Sequence, residues 1–453
     1  MRTPPTRERD ILNLPNLMVT RVNDTESETD YYITAVSTAP IECCQTCGVI
    51  HQDNVHLSKF GTKKYVYMDT PIHARRVVIG VERQRYKCRD CGATFYERLP
   101  DMDPQREMTT RLVKYIQKQS LSETFVTVAN RIGIDESTVR SIFREYVAEL
   151  EKKFKFVRPK WIGMDEIHMF GKARFVLTNL EHHTLLDMLH SNTLEVLRPY
   201  FFKRQGNRDV EFIATDMFTG YHTIAKEFMP DAKVVVDKYH VVQYANYAVR
   251  DLRIHIGKSL TVTERRRLMR SKGLLLSRKE LSESKQEKLN AYLSAFPALY
   301  NGYVLKEFFY DIYDAPDRHN AELRFQQWKA TITPDVAPFF KQLVEMVEKF
   351  NVSIFNYWDS DKTVTNAFTE SLNNLTRNVN RNGRGYSFEA IRAKMLFTKG
   401  HKAPPKEPVK KSKFRERVFY NRPEPVRESK PRSKRTLGVP ISTLEQLFAD
   451  KED

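Results

Sequence analysis

The chain of 453 residues is short of several things, and each shortage excludes something. Only five cysteines are present, too few for a disulfide framework and better suited to holding a metal. No apolar run approaches the ~18 residues of a membrane span. The first residues, Met1 to Asp10, lack the apolar core of a signal peptide, so a cytoplasmic protein without a membrane partner is expected. No internal repeat of fixed period is found. Acidic residues are also in deficit: 57 Asp and Glu stand against 74 Lys and Arg, a formal net charge of +17. That excess favours a polyanion, and nucleic acid is the usual one.

Four of the cysteines form two knuckles, Cys44-Gln45-Thr46-Cys47-Gly48 and Cys88-Arg89-Asp90-Cys91-Gly92. Tetrahedral zinc takes four soft ligands, and each knuckle offers two from a tight turn. Cys44, Cys47, Cys88 and Cys91 are therefore the expected ligands of a structural Zn²⁺ in a zinc ribbon. Cys43 is spare and can replace Cys44 only with looser spacing. Arg83 and Arg85, in the insert between the knuckles, are candidates for DNA phosphate contact. A solvated basic face is the plainer reading.

Residues 125–143 have the pattern of a helix-turn-helix. Ala129 is small where two helices would cross, Gly133 falls at the turn, and Asp135 or Ser137 can cap the next helix. Val139, Ile142 and Phe143 make a buried face. The outer face then offers Ser137, Thr138, Arg140, Ser141 and Arg144 to a major groove. An ordinary helical hairpin would share the pattern.

After residue 158 the predicted order is β-β-β-α-β-α-β, that of an RNase H-like sheet. The first strand, Trp161 to Met164, runs into Asp165; the fourth, Val210 to Thr215, runs into Asp216; the fifth, Ala232 to Val236, runs into Asp237. In such a sheet the first and fourth strands are neighbours, so Asp165 and Asp216 converge. Glu370 lies on a later helical stretch, with Asn366, Asn373 or Asn374, and Arg377 at helical spacing. Arg377 and Arg384 are candidates for holding phosphate. Two strand-end aspartates and a helix-borne glutamate suit two Mg²⁺ (or Mn²⁺) ions, which points to catalytic and metal-binding roles for Asp165, Asp216 and Glu370. Glu166 competes with Asp165 by one residue. Asp237 competes with Asp216; otherwise Asp237, His240 and Asn366 are accessory. No clustered Arg-His-Arg-Tyr pattern of a tyrosine recombinase is found.

The expected fold class is multidomain α+β. An N-terminal lead-in (1–40) precedes a zinc-binding domain (41–106) and a helix-turn-helix domain (107–155). An RNase H-like core (156–240 and 361–400) is interrupted by an all-helical insertion (241–360), and a basic tail follows (401–453).

Gly163-Met164-Asp165-Glu166, Val235-Val236-Asp237-Lys238-Tyr239-His240-Val241 and Asn366-Ala367-Phe368-Thr369-Glu370-Ser371-Leu372-Asn373-Asn374, with the later Arg384-Gly385-Tyr386-Ser387-Phe388, resemble the signatures of bacterial insertion-sequence transposases. The closest resemblance is to the ISL-three group, over roughly residues 40–400. Asp237-x-x-His240 is similar to a signature found after the second catalytic aspartate in related transposases, which supports Asp216. Tyr239 stands where the group more often has Phe. The resemblance implies a DDE transposase that binds the inverted-repeat ends of its own element, cuts them by hydrolysis and joins the 3′-hydroxyl to target double-stranded DNA. It also implies a homodimer or larger assembly. Alternatives are a zinc and helix-turn-helix DNA-binding regulator with an inactive core, or an RNase H-type nuclease.

Overall fold

The computed structural model describes residues 12–399 apart from 24–29, 52–54, 155, 157–158, 205–208, 271–272, 274–280 and 360–363. The basic tail and the short amphipathic piece at 441–448 lie outside the described residues.

The first sheet is made of β1 (Leu17–Asn23), β2 (Asp30–Ser37), β3 (Leu57–Ile72), β4 (Arg75–Cys88) and β5 (Thr94–Tyr96), in the order β1-β2-β4-β3 with β5 on β4. The stretch read as a polar lead-in thus supplies two strands, with β2 parallel to β4. Alternation explains it: Ile33 and Ala35 fall on the face of β2 that joins Val77, Ile79 and Val81 of β4 in one core.

Three helices follow: α1 (Thr110–Ser122), α2 (Phe125–Ile132) and α3 (Glu136–Lys153). Thr109 and Thr124 cap the first two by accepting from the N–H of Leu112 and Thr127. Asp135 occupies the N-cap of α3 without a side-chain cap bond. Gly133 ends α2 at φ +82°, a left-handed turn that a side chain would resist.

The second sheet contains β6 (Trp161–Met169), β7 (Lys172–Asn179) and β8 (Thr184–Leu189). After α4 (Leu194–Phe202) come β9 (Phe212–Thr215), α5 (Thr219–Phe228) and β10 (Lys233–Val236). Its order is β10-β9-β6-β7-β8. β6, β7 and β8 form an antiparallel meander, while β9 and β10 are parallel to β6. The expected succession of elements and the adjacency of first and fourth strands are therefore present. This mixed α+β architecture is consistent with an RNase H-like core.

Helices then run from α6 (Lys238–Lys258) through α7 (Val262–Arg270), α8 (Glu283–Ala295), α9 (Pro297–Ile312), α10 (Arg318–Ala330), α11 (Ala337–Lys349) and α12 (Asn351–Phe355). They share a core of their own, including Leu252, Phe325, Trp328 and Phe340. The chain returns to the sheet with α13 (Ala367–Gly383) and α14 (Phe388–Lys394), followed by a π-helical turn. Among the described residues no helix is long and apolar enough to cross a membrane.

The second sheet is covered on both faces. Met164, Phe175 and Leu177 pack with Leu197 and Phe201 of α4 and Tyr221 and Ile224 of α5. On the other face Ile167, Val176 and Met188 pack with Leu372 of α13, Ile391 of α14 and side chains of α1 to α3. Gly163 makes the closest approach possible. A Cβ there would lie 2.4 Å from the hydroxyl oxygens of Thr178 and Thr369, which hydrogen-bond each other at 2.7 Å. Without a side chain on β6 at that point, α13 settles directly over the strand.

Candidate active site and metal centre

Strand register brings the acidic residues into one row. β6 pairs with β9 as Trp161 to Phe212, Ile162 to Ile213 and Gly163 to Ala214. The pairing stops there; two residues further on stand Asp165, within β6, and Asp216, just past the end of β9, near enough for Asp216 to act on the Asp165 carboxyl. β9 pairs with β10 as Thr215 to Val236, so Asp237 is next in the row. Asp216 and Asp237 follow the ends of β9 and β10, at the carboxyl edge where an open sheet leaves room for ligands, whereas Asp165 lies within β6, which runs on to Met169 in its pairing with β7 instead of ending at Met164 as expected.

Asp165 is the most buried of the proposed metal-binding acids, 7% exposed. Its Oδ1 accepts the N–H of Glu166 at 2.8 Å and its Oδ2 accepts from Asn373 Nδ2 at 2.9 Å. Burial raises its pKa to about 6; the Glu166 N–H and His240 act against that rise, while Asp216 and Glu370 add to it. A carboxyl pushed up by neighbouring carboxyls is one that a cation would stabilise in the charged form. Glu166, one residue along, faces elsewhere and accepts from Asn192 Nδ2 at 2.6 Å.

Asp216 is half-buried, and its Oδ1 accepts the N–H of Phe218 at 2.9 Å in a turn before α5. Glu370, in the first turn of α13, lies 3.5 Å from His240 Nε2. Burial raises its pKa and Asp237 adds to that, while His240 lowers it. Asp237 is 3% exposed and is differently employed. Its Oδ1 accepts the N–H of Tyr239 at 2.7 Å; its Oδ2 accepts the Thr365 hydroxyl at 2.9 Å and the N–H of Asn366 at 2.5 Å.

Buried polar atoms around this row lack hydrogen-bond partners: Asn366 Oδ1, Asn373 Oδ1 and His240 Nε2, the last having only its 3.5 Å approach to Glu370. Such atoms are costly to leave unsatisfied. Together with three carboxylates they make a set of mostly hard oxygen donors, which fits Mg²⁺ or Mn²⁺ rather than zinc. Among the described residues, the only group of three or more His, Cys, Asp or Glu whose ligand atoms all lie within 4.8 Å of one another is Cys44, Cys47, Cys88 and Cys91. The acidic row is more widely spaced.

The four thiols sit as a zinc site requires. Cys44 Sγ is 3.8 Å from Cys91 Sγ, and Cys47 Sγ is 3.8 Å from Cys88 Sγ. A tetrahedron with metal–sulfur bonds of about 2.3 Å has edges of roughly 3.8 Å. Gly48 and Gly92 take φ +75° and +73° to close the two turns. Backbone N–H groups, first that of Cys47, lower the Cys44 thiol to about 6. Cys43 points out of the set and is exposed.

The residues expected to touch DNA are divided by the structure. On α3, Ser137, Ser141 and Arg144 are exposed and Thr138 is half-buried. Arg140 instead pairs with Glu136 at 2.7 Å and lies over the Phe125 ring at 5.3 Å. In the first sheet Arg83 donates to the Glu97 carbonyl at 2.5 Å and stacks on Tyr65. Arg85 donates to the Thr94 hydroxyl at 2.8 Å and lies over Phe60 and Tyr96. Arg377 and Arg384 are exposed. The bond from Asn373 to Asp165 was only half visible in the sequence: helical spacing put Asn373 on the right side of α13 but did not separate it from Asn374.

A family model described as the helix-turn-helix domain of transposase family ISL3 matches residues 97–147. A second, the transposase model of the same family, matches residues 162–395. The chain is also 24% identical over 282 residues to the transposase for insertion sequence element IS1001 of Bordetella parapertussis, spanning 60% of this chain and 67% of that protein. The second match holds the whole acidic row and the helical insertion, and the first covers α1, α2 and α3 as far as residue 147. The chain belongs to the ISL3 family of insertion-sequence transposases.

Proposed function

We propose that the protein binds the inverted-repeat ends of its own insertion sequence, cuts a phosphodiester there and joins the freed 3′-hydroxyl to target DNA. The observation that supports this reading is the closeness of three carboxyls from distant segments: Asp216, after β9, and Glu370, on α13, both act on the carboxyl of Asp165 in the neighbouring β6. These three residues would hold two Mg²⁺ or Mn²⁺ ions, which when bound would lower the pKa of an attacking water or hydroxyl and offset charge on the leaving oxygen. Asn373 holds Asp165 Oδ2 in place, and Asp237 holds the start of α13. His240 lies against Glu370 and keeps that carboxylate from swinging freely.

The zinc module and the helix-turn-helix, through Ser137, Thr138 and Arg144, recognise the ends. Arg377 and Arg384 hold phosphates near the cut. The chain acts as a dimer or larger assembly, since two ends must be held together.

The test is incubation with DNA carrying the element's ends, with and without Mg²⁺ or Mn²⁺. Wild type is expected to give metal-dependent nicks and joined products, both absent from Asp165→Asn, Asp216→Asn and Glu370→Gln, whose DNA affinity persists. Cut ends that are never joined would indicate a nuclease. Tight binding with no cutting in either metal would indicate a regulator.

A further inference from the structure

The helical insertion contains a buried cation that no described residue neutralises. Arg253, midway along α6, is 8% exposed. Its Nε and Nη1 are buried without a hydrogen-bond partner, and among the described residues it forms no ion pair. Burial lowers its pKa, and the nearby Arg250 lowers it further. A buried guanidinium is normally matched by a carboxylate, because removing it from water is expensive.

Its surroundings add more positive charge. Gly257 lies one turn along the same face of α6, and a Cβ there would stand 3.6 Å from Arg265 Cγ. The stem of Arg265, on α7, therefore lies with Met269 against α6 one turn from Arg253. α7 reads Val-Thr-Glu-Arg-Arg-Arg-Leu-Met-Arg, four arginines to one acid. Its Glu264 accepts from both the N–H and the hydroxyl of Thr261. Arg250 is paired with Asp251 at 2.9 Å; among the described residues Lys258, Arg265 and Arg266 have no ion-pair partner.

We propose that this α6–α7 corner is a binding site for the phosphodiester backbone of DNA, with Arg253 as its anchor. The inference rests on the transposase reading for its partner and on the unneutralised Arg253 for its place. A phosphate supplies the acceptor oxygens and negative charge that Arg253 lacks, and Arg265 and Lys258 add the charge that draws a polyanion there. Such contacts are independent of base sequence.

The test is Arg253→Met, which keeps the length of the side chain and removes its charge. The variant is expected to melt at or above the wild-type temperature, since it removes an uncompensated buried charge. It should nonetheless bind DNA more weakly, with the slope of log affinity against log salt reduced by about 1. Arg265→Gln, at an exposed position, should weaken binding without changing the melt. Pyrophosphate should raise the melting temperature of wild type and not of Arg253→Met. Unchanged DNA affinity and salt slope in both variants would overturn the proposal, as would an equal pyrophosphate shift in wild type and Arg253→Met. A wild type stabilised by pyrophosphate through Arg253 but unable to bind DNA would overturn the DNA site and the transposase reading, leaving only a phosphate site.

Discussion

Asp237 Oδ2 accepts the backbone N–H of Asn366 at 2.5 Å across 129 residues of sequence. The other oxygen of the same carboxylate caps α6 through Tyr239. One buried side chain thus ties the start of the insertion to the residue just before α13, four positions from Glu370. With three donors already on it, Asp237 is proposed as a positioning residue rather than a metal ligand. Asp237→Asn removes the charge and one acceptor. It is expected to lose about 1–3 kcal/mol of stability and to slow cutting by about 10²-fold through a misplaced Glu370, with DNA affinity retained. Thermal melts and single-turnover cleavage beside Asp216→Asn check this. Wild-type cutting by a less stable Asp237→Asn would remove the positioning role.

Lys394 joins the helix-turn-helix to the return helices and predicts a pH effect. Its ammonium, 4% exposed, donates to the carbonyls of Ser120 and Glu123 at the end of α1. It lies 4.6 Å from the Phe125 ring centre and 5.0 Å from that of Tyr386. Burial lowers its pKa from 10.5 to about 8, against the pull of Glu123. Above about 8 the folded protein has released a proton that the unfolded chain keeps until about 10.5. This group therefore makes stability rise with pH across that window, by at most about 1.4 kcal/mol per unit, and contributes no slope below it. Urea unfolding at pH 7, 8 and 9 should show the slope in wild type and a flatter line in Lys394→Met. Parallel lines would show that Lys394 keeps an ordinary pKa.

Removing zinc should unfold the knuckle end of the first sheet while sparing the second. Cys44 and Cys88 are buried together with Leu57 in a small cluster that the metal would complete. Mass spectrometry under native conditions should find one zinc per chain, lost with Cys88→Ser and retained with Cys43→Ser. Zinc retained at full occupancy by Cys88→Ser would refute the ligand set.

The Lys-, Arg- and Pro-rich tail predicts a salt effect. Deleting residues 401–453 should weaken DNA binding and lower its salt dependence, because fewer phosphate counterions are displaced. Binding titrations at several salt concentrations read this directly, and an unchanged slope would show that the tail makes no phosphate contact.

Much of the candidate site was legible because its signals are local. The paired C-x-x-C-G knuckles, the small Ala129 and the turn at Gly133 each identify a structure within a few residues. The apolar runs before Asp165, Asp216 and Asp237 mark buried strands, of which β9 and β10 end at their acids while β6 continues past Asp165 to Met169. The choice between Asp216 and Asp237 stayed open at that level, since both end strands and both precede helices. Arg83 and Arg140 were legible as cations but not as ones already engaged with Glu97, Tyr65, Glu136 and Phe125. The lead-in alternates apolar and polar residues at Tyr31 to Val36, yet nothing local indicated that this stretch would lie parallel to β4.

By itself the sequence determined the order of elements, the knuckles and the motifs that carry the family, because periodicity and turn chemistry act over short spans of chain. Tertiary structure decided which polar groups meet. It gave Asp237 to Asn366 and Asn373 to Asp165, and set α13 on Gly163. It also left Arg253 buried without a counter-charge among the described residues. These pairings depend on register and helix packing between segments as many as 208 residues apart; a carboxylate's role is set by how many donors reach it, which only the folded chain determines.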